Sequence, residues 1–199
     1  MERLTIQVGT FEVNCSFLIR DGRALIVDPG NEADRIVRLL AEKGLEPQAV
    51  LLTHAHFDHI GGLDGLLGEF PDLPVYLHPD DVAMLTHPLN RFPPDYPGIG
   101  KPRDVRDCRT CEGVTVIETP GHTPGGVCYH FPADKLLLSG DTLFAGSVGR
   151  TDLPGGDMAT LTASLGKLAS LPGETLVIPG HGPHTTLAAE FRGNPFLRT

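Results

Sequence analysis

Ten consecutive residues constrain this chain more than any others. Val50-Leu51-Leu52 belongs to a continuous apolar run over 48–53, the pattern of a strand buried on both faces of a sheet. Thr53-His54-Ala55-His56-Phe57-Asp58-His59 follows at once, with four side chains of metal-ligand type among six residues. A chain that ends a buried strand in this way must place that strand inside a sheet and open its end toward a site. On extended or turning backbone His54 and His56 share a side. Imidazole and carboxylate are the usual donors to zinc and related divalent ions. Asp58 and His59 fall where the chain turns into a helix, and can face a second ion.

The same arrangement recurs three times. His122 lies in Thr119-Pro120-Gly121-His122 after a strand expected at 114–118. Asp141 lies in Ser139-Gly140-Asp141-Thr142 after one at 135–139, and His181 in Pro179-Gly180-His181-Gly182 after one at 174–178. Glycine beside each lets backbones approach closely, and strand-end loops on a rigid scaffold are where sites are built. Seven candidates result: His54, His56, Asp58, His59, His122, Asp141 and His181. One tetrahedral zinc takes only three or four ligands, so seven predict two divalent ions that share Asp141. Zinc is the expected metal, and iron and manganese suit the same donors. The other histidines, His78, His87, His130 and His184, read as structural, with a place behind His181 as the alternative for His184.

The rest of the chain reads as short elements cut by 24 glycines and 18 prolines. Strands are expected at 4–8, 13–20 and 23–28, the last two joined through Asp21-Gly22. Helices are expected at 32–43, stopped by Gly44, at 61–69, at 157–171 behind an Asp157 cap, and from 187. Further strands are expected at 74–78 and 126–131. The pattern predicts a single domain over 1–199, with two sheets packed together and covered by helices. A proline-rich surface loop spans 86–112. A net charge of −9 argues against nucleic acid or an anionic membrane as partner. No window approaches the ~18 apolar residues of a membrane span. The first twenty residues alternate where a signal peptide would run apolar, so a cytoplasmic location is expected. Cys15 and Cys128 read as core residues. Cys108 and Cys111 lack the second pair that a structural zinc site needs.

Taken in order, T-H-A-H-F-D-H, G-H-T-P-G, S-G-D-T-L-F and P-G-H-G resemble the motif series of the metallo-β-lactamase superfamily. The resemblance implies an α/β fold, a four-layer αββα sandwich with metals at one edge between the sheets. It also implies that Asp28 stands behind the ligands rather than among them. Within the superfamily, Gly140–Phe144, Gly146–Asp152 and Asn194-Pro195-Phe196 are similar to segments of the glyoxalase II group of thioester hydrolases. That likeness implies a first metal on His54, His56, His122 and Asp141, and a second on Asp58, His59, Asp141 and His181. It gives Asp58 a catalytic role in orienting the nucleophile and Arg150 a contact to a glutathione-based substrate. The implied activity is hydrolysis of a small-molecule thioester such as S-lactoylglutathione; the sequence does not give the oligomeric state. Arg91, Lys101 and Arg103 are further sources of positive charge. The chain departs from the larger glyoxalase II enzymes in two ways: only 18 residues follow His181, and Pro183 replaces a tyrosine. It therefore resembles the short, single-domain bacterial members. The alternative is a mononuclear-iron persulfide dioxygenase, which would use the counterparts of His54, His122 and Asp141 and carries a segment like Gly149–Asp152.

Overall fold

The computed structural model describes residues 1–197 except Lys101 and Arg103. Its contacts divide the chain into two compact units, Met1–Thr110 and Cys111–Thr199. The first unit is a six-stranded sheet whose spatial order follows the sequence. Strands β1 (Glu2–Val8), β2 (Val13–Arg20) and β3 (Arg23–Val27) pair antiparallel. Helix α1 (Ala33–Lys43) then returns the chain to β4 (Glu46–Leu51), parallel to β3. Helices α2 (Phe57–Ile60) and α3 (Leu63–Glu69) lead to β5 (Val75–Leu77) and β6 (Val105–Asp107), both parallel to β4. Asp21 and Gly22 take φ of 52° and 76°, the left-handed pair of a two-residue hairpin turn. The sheet's alternating residues Val13, Cys15, Phe17, Ile26, Val50 and Val75 pack with Ile36 and Leu40 of α1 and Ile60, Leu63 and Leu66 of α2 and α3. Gly44 ends α1 in the left-handed region, its N–H capping Leu40 and Ala41, as helix C-termini favour.

The second unit holds β7 (Thr115–Glu118), β8 (Val127–Phe131), β9 (Leu136–Gly140), the small hairpin β10 (Leu143–Phe144) and β11 (Ser147–Val148), and α4 (Met158–Leu168). It closes with β12 (Leu176–Pro179), β13 (Thr185–Thr186) and α5 (Leu187–Gly193). The sheet order is β13-β12-β9-β8-β7. Asp157 caps α4 by accepting the Thr160 N–H at 2.7 Å. Leu161, Leu165 and Leu168 then bury one stripe of the helix against Cys128, Leu137 and Val177.

Several elements differ from expectation. The helix expected at 61–69 is α3, which starts at Leu63, and a separate short helix, α2, precedes it from Phe57 inside the histidine motif. Between the two, the Gly62 N–H donates to the Pro29 carbonyl at 2.8 Å. The 86–112 segment is not one irregular loop. It holds a 3-10 turn at Pro88–Asn90, a Phe92–Tyr96 bridge, strand β6 and a 3-10 turn at Cys108–Thr110. Strand β6 reads Val-Arg-Asp and lies outside β5 at the sheet edge, so it shows no apolar pattern. Helix α4 stops at Leu168, short of 171. Among the described residues, no helix is long and apolar enough to cross a membrane.

Candidate metal centre

Four of the seven candidates stand in the first unit, just past the C-terminal end of β4. Open parallel sheets present ligands at this edge. The His54 ring meets His56 at 4.8 Å between centroids and His59 at 4.1 Å, and His54, His56, Asp58 and His59 are all buried. Asp28 leaves the neighbouring parallel strand β3 at the same edge. Its carboxylate accepts from the Thr53 N–H (2.8 Å), the Thr53 hydroxyl (2.7 Å) and His59 Nδ1 (3.0 Å).

These bonds fix the tautomers. A carboxylate only accepts, so His59 Nδ1 carries the proton and Nε2 the lone pair. The Thr53 hydroxyl spends its one proton on Asp28, so at its 3.1 Å contact with His54 Nδ1 it accepts. His54 therefore also presents an unprotonated Nε2. Ala55, between the first two histidines, is gripped at both backbone groups. Its N–H donates to Asp81 Oδ2 at 3.1 Å, and its carbonyl accepts from Asn90 Nδ2 at 2.6 Å. Both partners are buried.

The other three candidates stand in the second unit. Strands β7, β9 and β12 run in the same direction, so His122, Asp141 and His181 leave the sheet at one edge. A single oxygen, Asp141 Oδ2, lies 3.4 Å from His122 Nε2 and 3.7 Å from His181 Nε2. His122 Nδ1 donates to the Arg150 carbonyl at 2.7 Å, which again leaves Nε2 unprotonated. A methyl group at Gly149 would overlap the Asp141 carbonyl oxygen, and one at Gly30 would overlap that of Asp58. Glycine is required at both places by the close approach of a second chain segment. Imidazoles turned Nε2-outward beside a buried carboxylate (Asp58) and a largely buried one (Asp141) are a donor set that fits divalent metal.

The hairpin β10–β11 carries Asp141 at one foot and Arg150 at the other, and α5 holds its tip. Glu190 Oε2 accepts from the Gly146 N–H (2.8 Å) and Asn194 Nδ2 (2.9 Å), and its Oε1 accepts from the Thr185 hydroxyl (2.7 Å). Asn194 Nδ2 also donates to the Ser147 carbonyl at 3.0 Å. The Arg150 side chain forks onto Asp152 at 2.6 and 2.8 Å, well exposed. That fork raises the guanidinium pKa and brings Asp152 down to about 2. His184 is exposed, as is Arg91, while Lys101 and Arg103 lie outside the described residues. His78 and His87 each cap a 3-10 turn through Nδ1. Cys15 and Cys128 are buried in the sheets, and burial pushes both thiols up, Cys128 to about 11. Asp81, Asn90 and Glu190 were invisible to sequence reasoning, and Asn194 stood out only through its motif. Each acts on a partner far along the chain, and no local pattern marks it.

The model of the metallo-β-lactamase superfamily matches residues 8–181. A probable metallo-hydrolase of Bacillus subtilis, YqgX, is 44% identical, with 96% of this chain and 94% of that protein covered. The hydroxyacylglutathione hydrolase GloC of Haemophilus influenzae is 34% identical over 98% of this chain and 97% of its own. The crystal structure of the BLEG-1 B3 metallo-β-lactamase matches with a TM-score of 0.89 at 38% identity, covering 100% of both chains. That of TTHA1623 in a di-iron-bound form matches with a TM-score of 0.86 at 42% identity, covering 98% of this chain and 100% of that one. By sequence and by fold, then, this α/β chain belongs to the metallo-β-lactamase superfamily of metal-dependent hydrolases.

Proposed function

We propose that this protein is a dinuclear-metal hydrolase of small thioesters, of which S-lactoylglutathione is the model. His54, His56, His122 and Asp141 would hold one ion, and Asp58, His59, Asp141 and His181 the other. The observation that carries the reading is Asp141 Oδ2, a single carboxylate oxygen facing two histidine nitrogens at 3.4 and 3.7 Å. The likeness to GloC, which spans nearly the full length of both chains, supports the thioester as substrate.

When bound, such ions supply a water of lowered pKa and a Lewis acid for the developing oxyanion. The chain's own residues do the rest. Asp28, Thr53 and the Arg150 carbonyl hold His59, His54 and His122 in the ligating tautomer. The Asp58 carboxylate orients the attacking water. The thiolate departs without a general acid, because a thiol ionises near pH 8.5. The Arg150 guanidinium meets a substrate carboxylate by exchanging it for Asp152, an exposed partner that is cheap to give up. Zinc or iron would serve these donors, and a di-iron form exists among the similar structures.

The test is hydrolysis of S-lactoylglutathione by protein whose metal content is measured on the same sample. Turnover with about two metals per chain is the expected result. One iron per chain, with oxygen uptake on glutathione persulfide and no thioester turnover, would make the protein a dioxygenase. Hydrolysis of a cephalosporin alone would instead align it with BLEG-1.

A further inference from the structure

The candidate-ligand segment His54–His59 contains one large apolar side chain, Phe57, between His56 and Asp58. Its half-buried ring is the centre of an aromatic cluster. Phe11, from the β1–β2 turn, meets it edge-on at 5.3 Å. Phe92 stacks on it at 5.8 Å and 19°. Tyr96 supports it from the interior at 4.9 Å, 1% exposed. Phe11 and Phe92 lie 6.3 Å apart and are 43% and 60% exposed. Neither is held out by accident of a loose loop. The Gly9 carbonyl accepts the Glu12 N–H across the first turn, and Phe92 and Tyr96 exchange both backbone hydrogen bonds at 2.6 and 3.0 Å across the second.

We propose that Phe11, Phe57 and Phe92 form the seat for an uncharged alkyl or aryl substituent of the substrate, so that the protein selects among thioesters by their apolar group. The inference rests on the hydrolase reading for what happens to the substrate, though not for the binding itself. Size selects this occupant. The two exposed rings offer roughly 200 Å², which suits one hydrocarbon substituent and falls far below the ~1,000 Å² of a stable interface between copies. Charge agrees. Glu12 and Asp95 are exposed beside the two aromatic turns and disfavour an anionic group there. Position decides it, because Phe57 joins the seat to the segment that carries His56 and Asp58.

The test uses two thioethers that cannot be hydrolysed, S-octyl- and S-methyl-N-acetylcysteamine, titrated into the metal-loaded protein. The octyl probe is expected to bind about ten-fold tighter or better, as burying several methylenes requires. Phe92→Ser and Phe11→Ser should each erase most of that gain while the melting temperature stays near wild type. Phe92 is exposed and pairs with Tyr96 through its backbone alone, so its substitution leaves the turn intact. Equal binding of the two probes, or a gain that survives both substitutions, would overturn the proposal. So would a wild-type dimer in sedimentation that Phe92→Ser dissolves, since the rings would then serve a second copy. Ring-dependent octyl binding with no turnover of the S-octanoyl thioester or of S-lactoylglutathione would uphold the seat and remove the thioester reading, so the two claims fail separately.

Discussion

At the residue scale, Asp28 does the most for its size. It is 2% exposed and accepts three hydrogen bonds that set the histidine turn. Asp28→Ala leaves the Thr53 N–H and hydroxyl without their acceptor and releases the tautomer of His59. A drop in metal affinity of about 10–100-fold is expected, read by competition with a chromophoric chelator. Arg150→Ala makes the opposite prediction. The fork onto Asp152 is exposed, and the bond that orients His122 comes from the main chain. Metal content should stay at the wild-type value while KM for an anionic thioester rises, a split that steady-state kinetics on metal-analysed protein would read. The ligand-type residues could be picked out in the sequence because five histidines and two aspartates follow strand ends. Asp81 and Asn90 could not, because they act on the backbone of Ala55 from 26 and 35 residues away.

At the element scale, α5 behaves as a clamp on the β10–β11 hairpin. Glu190→Ala removes the acceptor of three donors in a buried place, whereas Glu190→Gln keeps one carbonyl oxygen for Gly146 and Asn194. Loss of metal binding in the alanine variant and its recovery in the glutamine variant are expected by the same chelator assay; equal loss in both would mean that the charge of Glu190 matters more than its geometry. Strand β8 adds a pH dependence. Burial holds His130 below its ordinary pKa of 6.5, so the unfolded chain binds the extra proton first. Stability should fall as pH drops through the 6–7 range toward the lowered value, and His130→Leu should flatten that part of a urea-denaturation series. Elements with a clear apolar rhythm, such as β2 and α1, could be read from sequence to within a residue or two. The two-residue strands β10, β11 and β13 could not, because two residues have no period to read.

At the scale of the whole molecule, each unit builds its own apolar core and carries only some of the seven candidate ligands. Ions held as proposed above would stabilise the folded protein by mass action, about 2.7 kcal/mol when the free metal is a hundred times its Kd. Calorimetry should show a higher melting temperature for metal-loaded than for chelator-stripped protein, and Asp141→Ala should close the gap. The main chain of residue 150 and its side chain meanwhile do unrelated jobs, one steadying His122 and the other facing solvent. Any amino acid placed there other than one that distorts the backbone keeps the carbonyl where it is. Selection can therefore try new side chains at position 150, and with them new substrates, without putting the metal centre at risk.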